Sequence, residues 1–163
     1  MDDLYFEDFA VGDSFATDSE SVSEAQIIRF AKEWDPQPFH TDVEAAGRHE
    51  LGGLFASGMH TLGISFRLFI ATEVLAACNI AGAGLDKLRW PRPVRPGDTL
   101  HVEIETTAVR PSRSRPDRGS IAMHYVTKNQ HGEPVMAFDL VHIVRRRPPA
   151  ATTATIEDDR GAP

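Results

Sequence analysis

Gly58-Met-His-Thr-Leu-Gly-Ile-Ser-Phe-Arg-Leu-Phe-Ile-Ala-Thr-Glu-Val-Leu-Ala-Ala-Cys-Asn79 is the longest run in the chain with helical periodicity. Met59, Leu62, Phe66, Phe69 and Ile70 make one apolar stripe, while Ile64, Leu68, Ala71 and Leu75 fall on other faces, and only Arg67 and Glu73 are charged. A helix apolar nearly all round is buried nearly all round. At about 1.5 Å per residue this one spans roughly 30 Å. A single domain buries such a helix by wrapping a curved sheet around it, so the run predicts an α+β domain with a long central helix from Gly58 to about Asn79.

The strands that such a wrapping needs follow on the C-terminal side. Gly82-Ala-Gly84 reads as the stop beyond the helix, and Leu85–Trp90 as a strand. Pro91, Pro93 and Pro96 with Gly97-Asp98 make a turn. Thr99–Val109 alternates with period two: Leu100, Val102, Ile104, Thr106 and Ala108 lie on one face, and His101, Glu103, Glu105 and Thr107 on the other. Ser120–Lys128 and Val135–Val144 alternate too, joined by Asn129-Gln-His-Gly132, a hairpin signal. Arg110, Arg113, Arg115 and Arg118 fall among Pro and Ser in a loop between strands, and Arg145–Arg147 at a strand end. Both groups read as solvated in preference to phosphate-binding. Residues 148–163 lack apolar periodicity and read as a disordered tail behind a domain of residues 1–147.

On the N-terminal side, a strand is predicted around Ser14–Asp18. Ser23-x-x-Gln26 has the form of a capping box that opens a helix, with Ile27, Phe30, Ala31 and Trp34 on its apolar face. Pro36 ends that helix. Trp34-Asp-Pro-Gln-Pro-Phe-His-Thr-Asp42 then places a carboxylate and an imidazole five residues apart. The two prolines hold their predecessors out of the α region and supply no N–H, so the segment reads as a stiff loop. Asp42 is best read as the N-cap of a short helix through Val43–Ala46. His49 reads as solvated in a polar turn.

At 163 residues with 41% hydrophobic and 25% charged residues, the composition is that of one globular domain. A formal net charge of −7 argues against general nucleic-acid binding. No run is long and pure enough to span a membrane, and the N-terminus lacks a signal-peptide core, so the expected location is cytoplasmic. The one cysteine, Cys78, admits no intrachain disulfide and falls in an apolar run, where cysteine behaves as a small hydrophobe. There is no Gly-rich phosphate loop and no Cys/His metal spacing, so no metal and no cofactor is implied.

Asp35-x-Gln37-Pro38-x-His40-x-Asp42 resembles the hydratase motif of the MaoC-like, (R)-specific enoyl-CoA hydratase family, with Gln37 where most members carry Asn. Phe6–Asp13, Ala56-Ser-Gly-Met59 and Arg92-Pro-Val-Arg-Pro-Gly-Asp98 resemble further parts of the family's pattern, so the likeness runs over roughly residues 5–146. It implies a single hot-dog fold and a homodimer. It also implies reversible hydration of a trans-2-enoyl-CoA to a (R)-3-hydroxyacyl-CoA, the CoA thioester being substrate and not cofactor. Asp35 and His40 match the catalytic pair position for position, and Gly58 the glycine whose N–H polarises the thioester carbonyl. Gln37, Phe39, Ser57 and Met59 are the substrate-binding candidates that flank them.

This chain departs from the family at two places. Ser57 stands where many members have His, and Phe66, with Ser65 beside it, where many have Ser. His60 matches no catalytic position and is a pocket-rim candidate. Two other classes compete: a hot-dog thioesterase, which does not call for the Asp–His pairing, and a non-catalytic acyl-CoA-binding protein, which has no use for it.

Overall fold

The computed structural model describes residues 3–149. A 3-10 turn (Phe6–Asp8) leads into β1 (Ser14–Ala16) and β2 (Glu20–Ser21). Then come α1 (Glu24–Trp34), α2 (Pro38–Thr41), α3 (Val43–Gly47) and α4 (Gly58–Ala71), followed by β3 (Asn79–Arg89), β4 (Thr99–Pro111), β5 (Arg118–Lys128) and β6 (Pro134–Arg145). The sheet runs β1-β4-β5-β6-β3 with every neighbour antiparallel, and β2 also pairs with β4. This curved antiparallel sheet around one principal helix is the hot-dog fold.

Period-two alternation sets which face of the sheet meets the helix. On β4, Leu100, Val102, Ile104 and Thr106 are buried; on β5, Ile121, Met123, Tyr125 and Thr127; on β6, Phe138, Leu140, His142 and Val144. From α4, Thr61, Ile64, Ser65, Leu68 and Phe69 turn toward them. Phe69 meets the Tyr125 ring edge-on at 5.2 Å, and Tyr125 stacks on Phe138 at 4.6 Å. Ser65 does not face a site: its hydroxyl donates to Thr61 O at 2.8 Å and lies 2.8 Å from Thr127 Oγ1, a polar tie between α4 and β5 inside the core.

The central helix is shorter than its apolar run predicts. It ends at Ala71, because the Thr72 hydroxyl donates to Phe69 O at 2.7 Å and Glu73 takes a left-handed φ of 58°. Val74, Leu75 and Cys78 stay buried, but on turns, so the apolar pattern continues past the end of the helix. The glycines Gly82 and Gly84 lie inside β3 and do not precede it, and a register shift in the pairing with β6 falls between them. Nor is α4 buried all round within one copy of the chain: Met59, Phe66 and Ile70 are exposed.

Several smaller readings change as well. Pro38 opens a one-turn helix where a loop was predicted, since proline at the first helical position has no N–H to lose. His49 is half-buried, its ring 4.6 Å from Phe39 and 5.6 Å from Phe55. Arg146 and Arg147 are not free at a strand end. They pair with Glu7 and Asp8 and lie over the Phe6 and Tyr5 rings, fastening the N-terminal turn to the end of β6. Most of the tail, residues 150–163, lies outside the described residues. Among the described residues no helix is long and apolar enough to cross a membrane, and no cluster of three or more His, Cys, Asp or Glu is arranged to hold a metal.

Candidate active site

The site is built where α1 ends. Its N-terminus carries the full capping box, with Ser23 Oγ accepting from Gln26 N and the Gln26 side chain accepting from Ser23 N. Ile27 and Ala31, fully buried, press the helix onto the core. Asp35 is the C-cap residue, its N–H still bound to Ala31 O at 2.9 Å, and Pro36 forbids another turn. The Asp35 side chain thereby projects from a fixed helix end. One turn on, α2 carries His40, 4% exposed. Asp42 caps α3, its Oδ1 accepting from Ala45 N at 2.8 Å, which accounts for its carboxylate structurally.

Each oxygen of Asp35 has a neutral donor. Ser57 Oγ donates to Oδ2 at 2.7 Å and Gln37 Nε2 to Oδ1 at 2.7 Å. The Ser57 hydroxyl is the main cause that holds the Asp35 carboxyl below the usual carboxylate range; burial opposes it, while Gln37 and His40 add to it. Asp35 is thus a carboxylate across the neutral range. Ser57 has a second task as N-cap of α4, accepting from Met59 N at 3.2 Å. One buried hydroxyl therefore locks the end of α1 to the start of α4.

His40 faces the same carboxylate. Its Nε2 lies 3.5 Å from Asp35 Oδ2, too far for a good hydrogen bond and near enough to share a ligand. Its Nδ1 lies 2.8 Å from Phe55 O. A carbonyl only accepts, so the network assigns the hydrogen to Nδ1 and leaves Nε2, the nitrogen that faces Asp35, with the lone pair. Phe39 and Phe55 meet the imidazole edge-on at 4.5 and 4.7 Å and fix its plane.

A cavity of about 450 Å³ opens in front of this pair, with Asp35, His40, Gly58, Met59, Trp90 and Val94 in its wall. Of the other predicted residues, Gln37 and Ser57 line it too. Phe39 does not; it stacks on Phe55 at 5.4 Å behind His40. His60 is not on the rim either. It stacks on Phe30 at 4.6 Å and borders a separate depression between α1 and α4, where burial pushes its imidazole down, helped by the Arg67 charge. Burial pushes the Cys78 thiol up to about 11, which suits a core residue and not a nucleophile.

Gly58 is the first residue of α4, and among the described residues its N–H donates to no protein group. Such N–H groups at a helix start carry the positive end of the macrodipole. Trp90 packs directly on it: a Cβ at this position would stand 2.6 Å from the indole Cε2, and the indole Nε1 donates to Gly58 O at 3.1 Å. Neither Trp90 nor the Phe55 carbonyl stood out in the sequence. A main-chain acceptor has no residue signature, and an aromatic ahead of a proline turn does not say which cavity it walls.

A carboxylate, an imidazole and a helix-start N–H around one cavity are groups able to handle protons beside a donor able to bind a carbonyl. A family model described as a MaoC like domain matches residues 8–127 and so includes all three groups. The chain belongs to the MaoC-like dehydratase family. Among its MaoC-like relatives of known structure is a MaoC-like dehydratase from Rhodospirillum rubrum. That protein is 46% identical, covers 89% of this chain and 99% of its own, and superposes with a TM-score of 0.83. Protein YdeM of Bacillus subtilis, itself uncharacterized, is 34% identical over 143 residues, 88% of this chain and 100% of its own. A 3-hydroxybutyryl-CoA dehydratase of Methylorubrum extorquens is 29% identical over 117 residues, 69% of each chain. The family points to hydratase or dehydratase chemistry, although it also contains non-catalytic members.

Proposed function

We propose that this chain is an acyl-CoA hydro-lyase that reversibly adds water to a trans-2-enoyl-CoA to give a (R)-3-hydroxyacyl-CoA. The observation that carries the reading is the pairing of Asp35 Oδ2 and His40 Nε2 across 3.5 Å at the wall of a cavity. Both atoms are acceptors when the imidazole is neutral, so together they grip the two O–H bonds of one water and aim its oxygen lone pair at C3. The oxygen bonds to C3, the double-bond electrons move toward the thioester carbonyl, and a proton of that water, passed through the pair, goes to C2. The N–H of Gly58 faces the charge that builds on the carbonyl oxygen, where a fixed donor lowers the barrier most. The (R) outcome and the CoA handle come from the family resemblance, and the dehydratase of M. extorquens acts on a CoA thioester by its name.

We further propose a homodimer. The edge strand β3 is exposed along nearly its whole length, and Met59, Phe66 and Ile70 of α4 are apolar and uncovered, as are Leu85 and Trp90. A second copy supplies a partner for a sheet edge of this kind.

The test is a spectrophotometric assay of short to medium 2-enoyl-CoAs, run beside an assay of thiol release from the saturated acyl-CoAs. Loss of the conjugated double bond without thiol release is the expected result. Thiol release alone would make the chain a hot-dog thioesterase, and neither activity would make it a non-catalytic member.

A further inference from the structure

Arg95, in the turn between β3 and β4, sends its guanidinium back into the segment just ahead of α4. Its Nη1 donates to Gly53 O at 2.7 Å and to Leu54 O at 3.3 Å, and its Nη2 donates to Leu51 O. The guanidinium carbon lies 5.8 Å from the centre of the Phe55 ring. Among the described residues no carboxylate pairs with this side chain. Its donors go to main-chain carbonyls.

The segment it holds is packed by its side chains, Leu54 and Ala56 being buried and Phe55 stacked on Phe39, but it has no helix or strand to fix its main chain. Gly52 and Gly53 take φ of 59° and 97°, so neither helix nor strand continues through them. Their N–H groups bind His49 O and Ala46 O, and Ala56 N binds Val94 O. The carbonyls of Leu51, Gly53 and Leu54 are left to Arg95. The next carbonyl along, Phe55 O, is the one that receives Nδ1–H of His40.

We infer that Arg95 is a positioning residue for His40: by clamping the carbonyls of Leu51, Gly53 and Leu54 it fixes where Phe55 O points, and so which imidazole nitrogen carries the hydrogen. The contact is specific to arginine. Its planar fork spans several acceptors at once, whereas a lysine ammonium is a single point on a flexible stem. Without the clamp, Phe55 O is free to turn from His40, and the neutral imidazole divides between its two tautomers. A molecule with the hydrogen on Nε2 no longer has an acceptor toward Asp35 and the cavity. The catalytic consequence rests on the hydration reading above; the tautomer consequence does not.

The experiment compares the parent with Arg95→Met and Arg95→Lys. Two-bond ¹H–¹⁵N spectra of the histidine rings, assigned with His40→Gln, report the tautomer of His40 in alkaline buffer, and steady-state hydration kinetics are measured in parallel. The parent should show His40 with its hydrogen on Nδ1, and Arg95→Met a mixture. In that variant kcat should fall about 10–100-fold, the range seen when a metal-bound histidine loses the partner that orients it, while KM changes little. Arg95→Lys, which reaches one carbonyl at a time, should fall between the two in both readouts. If the variants melt at lower temperature while His40 keeps the parent tautomer, Arg95 is merely structural and the inference fails. Should Arg95→Met not fold, Arg95→Lys decides alone, and an unchanged spectrum overturns the inference. A parent that hydrates no enoyl-CoA sinks the hydration reading, while the spectra still decide the role of Arg95.

Discussion

In the proposed reaction Asp35 and His40, 3.5 Å apart and without a good hydrogen bond to each other, divide the handling of one water. Asp35 is held ionised chiefly by the Ser57 hydroxyl, and His40 is held in one tautomer by a main-chain carbonyl. Asp35→Asn retains the size and leaves a group able to bond Ser57, but removes the charge. His40→Gln removes the imidazole Nε2 that faces Asp35. Each should lower kcat by about 10²–10⁴, the range for a positioned acid or base, and the double variant should fall little further because the two act on a single water. Steady-state kinetics of the three variants check this; two separate, additive losses would mean that the residues do not work as a unit. This pair was legible in the sequence, since an Asp and a His set by prolines at fixed spacing are visible as letters. Phe55 was not, because what it contributes is a carbonyl that every residue has.

At the scale of elements, β4, β5 and β6 were legible to within about two residues, because alternation with period two has no competing explanation over so long a run. The end of α4 was not. Val74, Leu75 and Cys78 continue the apolar pattern on turns, and the hydroxyl of Thr72 that closes the helix reads in the sequence as an ordinary polar residue. Nor does alternation say what an inward polar side chain does. His142 on β6 faces the core, 2% exposed, with Nε2 2.7 Å from the Tyr125 hydroxyl on β5. Burial pushes its imidazole down to about 4. An unfolded chain, with histidine near its ordinary 6.5, binds a proton that the folded chain refuses between those two values. Stability should therefore be complete above the ordinary value and decline as pH falls from there toward about 4, by on the order of 3 kcal/mol for this one group. His142→Gln, which keeps a partner for Tyr125, should flatten that part of the curve. Urea melts at a series of pH values measure it, and equal slopes in both proteins would remove His142 as the cause.

For the whole molecule, the hot-dog architecture followed from one apolar helix that asked to be wrapped, but the wrapping is incomplete in a single copy. Met59, Phe66 and Ile70 remain in the open beside the exposed β3 edge, an arrangement that a second copy would close. Light scattering should give a mass of twice 18.0 kDa. Ile70→Glu, which sets a charge on the uncovered face, should shift the protein toward monomer and lower its thermal stability. A parent that scatters as a monomer at every concentration would remove the proposed interface.

The indole of Trp90 occupies the space where a Cβ at position 58 would be, so what each position tolerates depends on the other. Alanine at 58 meets an aromatic wall and should lower both stability and thioester affinity. In a chain already carrying Trp90→Ala the same substitution should be far milder, giving a coupling of about 0.5–3 kcal/mol in a double-mutant cycle. Thermal melts of the four proteins supply the cycle, and additive losses would show the two sites to be independent. The order of exchange therefore matters: once the tryptophan is gone the glycine can be replaced, whereas a side chain put at 58 first must displace the indole.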